Sequence, residues 1–146
     1  MTRDHPFRSH PTLPLGAMPP TNIEIVGRLI DAWNQRDLQA ALKAMHPQCE
    51  VRGVEVRETL RGHDGVAAGF REWFEAFDEF TIEPENFIAD GDRVLVSMRQ
   101  RARGKGSGLE IEQRFQLFTM CDGLVFRFEE YSEEADAWNA LGKEAE

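Results

Sequence analysis

The chain has 146 residues, 41% of them hydrophobic, and a formal net charge of -9 at pH 7. This length is enough for one domain with a single core, and the hydrophobic content argues against a disordered chain. The negative charge argues against nucleic-acid binding, because that would require a strongly segregated basic face. The alternating basic residues from 99 to 105 do not supply one, since Glu110 and Glu112 follow at once and ion pairs across a hairpin are expected.

Cysteine and histidine spacing predicts no metal site. Cys49 and Cys121 lack a Cys-x-x-Cys pattern, which favours free thiols in a reducing compartment. The four histidines show no ligand spacing either, so no structural zinc is expected. No apolar run is long enough for a signal peptide or a membrane span, and we therefore expect a cytoplasmic protein without a membrane partner.

The first twenty residues differ in composition from the rest. They contain five of the seven prolines. We expect residues 1–20 to form a disordered, proline-rich extension and residues 21–146 to form a single domain.

Three helical segments are predicted at the start of this domain. Thr21 and Glu24 are spaced as a capping box, and apolar residues recur at helical intervals as far as Trp33. Asp37 can cap a second helix, which the His46-Pro47 step ends.

A short strand over 49–52 is expected next, followed by a third helix. This helix opens at Asp64 and carries Trp73 on its apolar side. Trp33 and Trp73 could offer flat surface to a ring system in a ligand cavity, or could belong to the core.

After Asp78 the apolar period changes from helical to two, which indicates a meander of strands. The glycine-rich loop 104–108 lacks the strand-to-helix context of a phosphate-binding loop and is interpreted as a wide hairpin connection. Helices followed by a run of strands predict an α+β fold. The predicted strands are 80–89, 93–103, 109–120 and 124–131, with a last helix after Ser132.

Strand register decides which side chains share a face. If residues 121–123 form a three-residue turn, Phe118 opposes Phe126, Gln116 opposes Phe128 and Arg114 opposes Glu130. If the 105–108 loop closes symmetrically, part of the preceding strand joins the same rows. The face so predicted carries Leu95, Ser97, Arg99, Arg114, Gln116, Phe118, Phe126, Phe128 and Glu130.

A two-residue turn at Asp122-Gly123 is the alternative, and it would bring Arg127 and Glu129 beside Phe118. Under the first register, the opposite face is apolar enough to need a cover, which a homodimer contact could supply. That face would carry Val94, Val96, Met98, Phe115, Leu117 and Val125.

Glu130 is the acid–base candidate of the chain. A carboxylate in an apolar cavity can accept or donate a proton, with Arg99 and Arg114 tuning its charge and Gln116 orienting a substrate. The structural alternative is an ion pair of Glu130 with Arg114 or Arg99, and we favour that interpretation.

Several short segments resemble those of the SnoaL-like polyketide cyclases, within the nuclear-transport-factor-2-like superfamily. The resemblance extends over about residues 22 to 142. It implies a cone-shaped α+β fold, in which a curved mixed or antiparallel sheet wraps around N-terminal helices and an apolar pocket opens at one end. It also implies a homodimer. The segments are Trp33-Asn34-Gln35-Arg36-Asp37, His46-Pro47, Arg61-Gly62-His63-Asp64-Gly65, Gly91-Asp92-Arg93-Val94, Gly106-Ser107-Gly108, Asp122-Gly123 and Glu130-Tyr131.

The resemblance carries over few catalytic groups. Where ketosteroid isomerases have an aspartate after the first strand, a tyrosine in helix one and an oxyanion-side aspartic acid, this chain has Gly53, Leu29 and Gln116. Many SnoaL-like relatives carry a histidine where Gln116 stands. Isomerase chemistry of that type is therefore not implied.

Limonene epoxide hydrolase offers a partial match. Its last-strand aspartate corresponds to Glu130 and its arginine to Arg93, but its second aspartate corresponds to Leu95. We therefore predict a SnoaL-like pocket protein that binds a small, largely apolar molecule. It would need no cofactor and bind no nucleic acid, and it would dimerise through the sheet. The alternative is a cofactor-independent lyase, isomerase or hydrolase in which Glu130 transfers the proton.

Overall fold

The computed structural model describes residues 20–53 and 59–142. The predicted disordered extension, residues 1–20, lies outside the described residues apart from Pro20. No helix within the described part is long and apolar enough to cross a membrane. The elements are α1 (Asn22–Asn34), α2 (Leu38–Lys43), β1 (Met45–Arg52), β2 (Leu60–Arg61), α3 (Gly62–Ala76), β3 (Phe77–Asp90), β4 (Arg93–Gly104), β5 (Leu109–Cys121), β6 (Leu124–Tyr131) and α4 (Glu134–Leu141).

The strands form one mixed sheet, and the α+β prediction is confirmed. The strand order is β2-β1-β6-β5-β4-β3. The β1–β6 pair is parallel, and the other neighbours are antiparallel. The parallel pair joins the first strand, β1, to the last one, β6. The three N-terminal helices pack against one face of the sheet, which is called the inner face below.

Helix starts follow local signals in the sequence. The predicted capping box is present: the Thr21 N–H donates to Glu24 Oε1 (2.8 Å), and the Glu24 N–H donates to Thr21 Oγ1 (3.1 Å). The Asp37 carboxylate accepts from the Ala40 N–H (3.1 Å) and caps α2. Helix α3 begins at Gly62, two residues before the predicted Asp64.

Strand β1 is longer than predicted, because it begins at Met45 and continues through Pro47. Proline has no N–H to give to a neighbouring strand, so it is found at edges and bulges. Both conditions hold here, since β2 pairs with β1 only at Glu50 and Val51, and the β1–β6 register shifts between Met45 and Glu50.

The register of the β4–β5 hairpin differs from the predicted one by one residue. Arg103 pairs with Leu109, so the connecting loop has the five residues 104–108 between its paired ends. A slip of one residue moves every side chain of a strand to the other face. Leu95, Ser97 and Arg99 therefore lie on the outer face, and their predicted place in the pocket rows is wrong.

A two-residue turn and a bulge together set the β5–β6 register, and neither predicted register includes both. Cys121 pairs with Leu124, which leaves a two-residue turn with positive φ at Asp122 (56°) and Gly123 (74°). This is the type I′ geometry that suits a hairpin. A bulge at Phe126 then shifts the strand by one more residue. Phe118 consequently opposes Phe128 and Gln116 opposes Glu130, two residues away from the predicted pairing and thus on the predicted face.

Helices of the same chain cover part of both faces of the sheet. Val94, Val96 and Met98, which were predicted on the exposed side, are buried on the inner face against the helices. On the outer face, Leu95, Leu117 and Phe115 pack against α4 through Ala137 and Leu141. Helix α4 supplies the cover that we had assigned to a second copy of the chain.

A ladder of ion pairs occupies the remaining outer face of β3 and β4. The predicted pairing of the alternating basic residues across a hairpin is confirmed, but their partners are acids of β3 instead of Glu110 and Glu112. The pairs are Arg99–Glu85 (3.2 Å), Arg101–Glu83 (3.8 Å), Arg103–Glu79 (3.4 Å) and Lys105–Asp78 (3.2 Å). Each basic side chain of this row therefore has an acidic partner.

Candidate functional site: an aromatic cavity with an amide-held carboxylate

A cavity of about 220 Å³ lies between the inner face of the sheet and helices α1 and α3. Its walls are mostly apolar, and seven aromatic side chains of the described residues contribute to them. Leu29, Gly53 and Gln116, the positions that the sequence resemblance matched to catalytic groups of the ketosteroid isomerases, all line it. The aromatic members are Trp33, Phe70, Trp73, Phe77, Phe80, Phe118 and Phe128.

Five of these rings contact one another and form a connected wall, namely those of Trp33, Phe70, Trp73, Phe77 and Phe80. The Trp33 and Phe70 ring centroids are 4.1 Å apart, with their planes at 89°. Trp73 meets Phe80 at 5.4 Å and 83°, an edge-to-face geometry. Trp33 and Trp73 pack against the core and also line the cavity, so both of the functions considered for them apply. Among the described residues, the Nε1 atoms of these two tryptophans are buried without a hydrogen-bond partner.

Glu130 lies at the polar end of the cavity and is held by two amides. Its Oε2 accepts hydrogen bonds from Gln116 Nε2 (3.1 Å) and from Gln100 Nε2. Gln100 and Gln116 are 9% and 3% exposed, so the carboxylate meets protein donors that are themselves shielded from water. Stacked Phe118 and Phe128 (5.1 Å, 30°) adjoin the same end.

Neither predicted arginine forms an ion pair with Glu130 in the described part of the chain. Arg99 is on the outer face with Glu85. Arg114 does line the cavity, and its Nη2 lies 2.5 Å from Glu112 Oε1. The ion-pair interpretation of Glu130 is thus replaced by a neutral amide cradle.

Gln100 was missed by sequence reasoning. It lies on the inner face of β4 because the 104–108 loop has five residues, whereas the assumed register turned it outward. The available signal was a single glutamine flanked by Arg99 and Arg101 on a strand, a neutral polar residue between two charged ones.

Two exposed carboxylates form the rim of the cavity. Glu110 and Glu112 are two residues apart on β5, so their side chains lie on the same face of the sheet. Both line the cavity beside Arg114. Together with Glu130, the charged side chains of the described residues that line the cavity are three carboxylates and one guanidinium.

Four predicted pocket residues lie elsewhere. Leu95 packs under α4, and Ser97 and Arg99 share the outer face with it. Phe126 is the bulged residue of β6 and meets the His46 ring at 5.4 Å. Arg93 donates to the Ala140 and Leu141 carbonyls (2.9 and 2.6 Å), so the arginine matched to the epoxide hydrolase holds the end of α4 here.

Glu50 lies on the outer side of β1, away from the cavity. Its carboxylate contacts Arg61 Nη1 (2.6 Å) and Arg127 Nε (3.3 Å). Desolvation opposes the charged form, but the hydrogen bonds and charges of Arg61 and Arg127 outweigh it and lower the pKa of Glu50. Glu50 therefore belongs to an ion-pair cluster with Arg61 and Arg127.

Ligand atoms of His46, Cys121 and Asp122 come within 4.8 Å of one another near the β5–β6 turn. His46 Nδ1 already accepts the Gln48 N–H (3.0 Å). Desolvation and the nearby Asp122 carboxylate raise the pKa of the Cys121 thiol, which disfavours the thiolate that a metal would bind. The absence of a metal cofactor stays a prediction.

A mixed sheet packed on helices around one apolar cavity defines the nuclear-transport-factor-2-like class of α+β proteins. The family described as SnoaL-like domain matches residues 26–128, which is most of the chain. The chain therefore belongs to the SnoaL-like family, as its sequence motifs predicted.

Solved structures share this fold. A protein from Jannaschia sp. CCS1 that is described as a SnoaL-like polyketide cyclase is 24% identical to this chain. The TM-score is 0.68, and the match covers 75% of this chain and 83% of the Jannaschia chain. TerC, co-crystallised with polyporic acid, is 24% identical, with a TM-score of 0.71 and coverages of 82% and 96%. A protein with a ketosteroid isomerase-like fold from Catenulispora acidiphila, in complex with trimethylamine, is 14% identical, with a TM-score of 0.72 and coverages of 84% and 95%. No curated protein matches the chain.

Proposed function

We propose that this chain binds a small, largely apolar, ring-containing molecule in the cavity, with its polar group directed at Glu130. The observation that carries the proposal is the combination of an aromatic wall with a single amide-held carboxylate at one end. Ligand pockets typically combine apolar walls with a few placed polar groups that fix orientation.

The size of the cavity limits the ligand. Its volume of about 220 Å³ is below the roughly 300–1,000 Å³ typical of pockets for drug-sized molecules. One or two rings with a short substituent suit this space better than a fused polycycle.

Two structural neighbours were crystallised with small molecules, polyporic acid for TerC and trimethylamine for the Catenulispora protein. At 24% and 14% identity these proteins share the fold with this chain, so their ligands are not transferred to it. They support the general idea that a cavity of this fold takes up small molecules.

Tryptophan emission tests the proposal directly. Replacing Trp138, which lies on α4 away from the cavity, by phenylalanine leaves Trp33 and Trp73 as the only tryptophans. Titrating this variant with one- and two-ring compounds should shift or quench the emission. Adding Ala102→Phe, which fills the cavity from β4, should abolish the response, whereas Thr81→Phe on the outer face should not. An emission that no ring compound changes would contradict binding.

A second candidate is proton-transfer catalysis by Glu130, as a cofactor-independent lyase, isomerase or hydrolase. It is favoured by one observation, that Glu130 meets neutral amides instead of the expected arginine. Removing a general acid or base typically lowers the rate by about 10²–10⁴-fold. For any carbonyl or epoxide compound that is turned over, Glu130→Gln should cause such a loss, and an unchanged rate would exclude this role.

We also propose a homodimer through the outer face of the sheet. Its support is the exposure of Leu109 and Ile111 on the outer side of β5, at 39% and 51%. Light scattering should give twice the mass of the chain, and Ile111→Lys should halve it. A monomer at all concentrations would contradict the dimer.

A further inference from the structure

We propose that the cavity selects a cationic amine, an aromatic or cyclic molecule with an ammonium group that pairs with Glu130. This inference rests on the proposed function and adds the charge of the ligand to it. It depends on the free oxygen of Glu130, on the sign of charge around the cavity, and on the aromatic wall.

The first observation is how Glu130 is held. Both amide donors, from Gln100 and Gln116, bond to the same oxygen, Oε2. Among residues 20–53 and 59–142, no donor bonds to Oε1 and no cationic side chain forms an ion pair with Glu130. One oxygen of the carboxylate is thus available to a ligand, whereas the other is satisfied by the N–H groups of the two amides.

The second observation is the charge of the lining. The only cation among the described lining residues is Arg114, and it is paired with Glu112 at 2.5 Å. Within residues 20–53 and 59–142, neither Glu110 nor Glu130 forms an ion pair, and the described lining carries more negative than positive charge. A carboxylate ligand would be repelled by this site, whereas an ammonium ligand would be attracted, and charges that match across an interface give specificity.

The third observation is the aromatic wall. Moving a cation out of water is costly, and one carboxylate repays this only in part. Aromatic faces attract cations through their quadrupoles, most strongly in tryptophan. The lining includes Trp33 and Trp73 from the helices and the stacked Phe118 and Phe128 from the sheet, so an ammonium group in the cavity would be surrounded by aromatic side chains.

The test compares three phenyl compounds of similar size that differ in charge: 2-phenylethylammonium, 2-phenylethanol and phenylacetate. Calorimetric titrations at neutral pH would use the full chain, Glu130→Gln and the matched control Glu129→Gln. Glu129 is the adjacent glutamate, but its side chain is on the outer face beside Arg52. Circular dichroism of each variant checks that it is folded.

We expect the ammonium probe to bind the unmodified chain about tenfold more tightly than the alcohol, and the carboxylate probe to bind least. Glu130→Gln should reduce the ammonium-to-alcohol ratio to within about twofold of one, and Glu129→Gln should keep it near tenfold. Equal or tighter binding of the alcohol overturns the inference but supports the proposed function. A ratio that survives Glu130→Gln also overturns it. If none of the three probes binds, the proposed function and this inference fall together.

Discussion

Two neighbouring residues of β4 show that charged side chains have different partners on the two faces of the sheet. Arg101, on the outer face, lies 3.8 Å from Glu83 of β3, with both side chains in contact with water. Gln100, on the inner face, donates to the carboxylate of Glu130 and is almost fully buried. The outer face neutralises charge with opposite charge, whereas the inner face stabilises one carboxylate with neutral dipoles.

The difference has a physical reason. An exposed ion pair requires little desolvation and contributes little to the free energy of folding. A ladder of such pairs can therefore cover a face of the sheet while adding little to its stability. A buried ion pair would require desolvation of both groups, which the attraction often fails to repay. Amide donors avoid the second desolvation and leave the carboxylate able to take a charged partner from solution.

The largest effect that separates the two faces should come from the adjacent residues Met98 and Arg99. Met98 is fully buried on the inner face, and Arg99 is exposed on the outer face. Met98→Ala should lower the free energy of unfolding by about 2–5 kcal/mol through lost burial and a cavity. Arg99→Ala should change it by about 0.5 kcal/mol or less. Urea denaturation measures both, and comparable losses would contradict the observed register of β4.

A smaller effect should follow from releasing α4 from the outer face. Arg93→Met keeps the length of the side chain but removes its donors to the Ala140 and Leu141 carbonyls. We expect a loss of about 1–3 kcal/mol, because a partly buried acceptor is left unsatisfied. Arg52→Met is the control, since the Arg52 guanidinium is exposed and lies 3.8 Å from Glu129. An unchanged midpoint in urea and unchanged Trp138 emission would show that α4 does not depend on Arg93.

The Glu50 cluster should show itself in the pH dependence of stability. Arg61 and Arg127 lower the pKa of Glu50 in the folded state. A lowered pKa contributes stability above the unfolded-state value of about 4.3, and this contribution is lost as the pH falls through the folded-state value. The stability difference between the unmodified chain and Glu50→Gln should therefore be positive at neutral pH and disappear in acid. A difference that grows on acidification would have the wrong sign.

The helices could be predicted from sequence because their signals are local. The capping box at Thr21 and Glu24 needs only its own turn, and both hydrogen bonds of the box are present. The change to period two after Asp78 likewise marks the start of the strands, with β3 beginning at Phe77. The family motifs extend over the matched range 26–128, which is why the resemblance identified the fold.

The faces of β4 could not be predicted in the same way. Val94, Leu95 and Val96 are all buried, because helices cover the inner face and α4 covers the outer face. A strand buried on both sides shows no alternation, so its register depended on loop length alone. The five-residue closure of the 104–108 loop decided it, and no residue pattern distinguishes five from four there.

On β6 two errors cancelled. The turn is two residues long, and the bulge at Phe126 restores the face that a three-residue turn would have given. Glu130 was therefore placed in the cavity by an incorrect register. The partners predicted for Glu130 were wrong because both registers differ. In β4, Gln100 takes the inward place predicted for Arg99, and in β5, Gln116 takes the place opposite Glu130 that was predicted for Arg114.

The smallest effect, and the one that tests the outer face most closely, is the coupling between Arg101 and Glu83. A double-mutant cycle with Arg101→Gln and Glu83→Gln should give about 0.2–0.5 kcal/mol, the value of an exposed pair. The experiment is best repeated at two protein concentrations, because a dimer through the sheet would remove this face from water. A coupling that rises above about 1 kcal/mol only at the higher concentration would indicate such burial. A small coupling at both concentrations would leave the ladder as a solvated surface and would locate any dimer contact elsewhere.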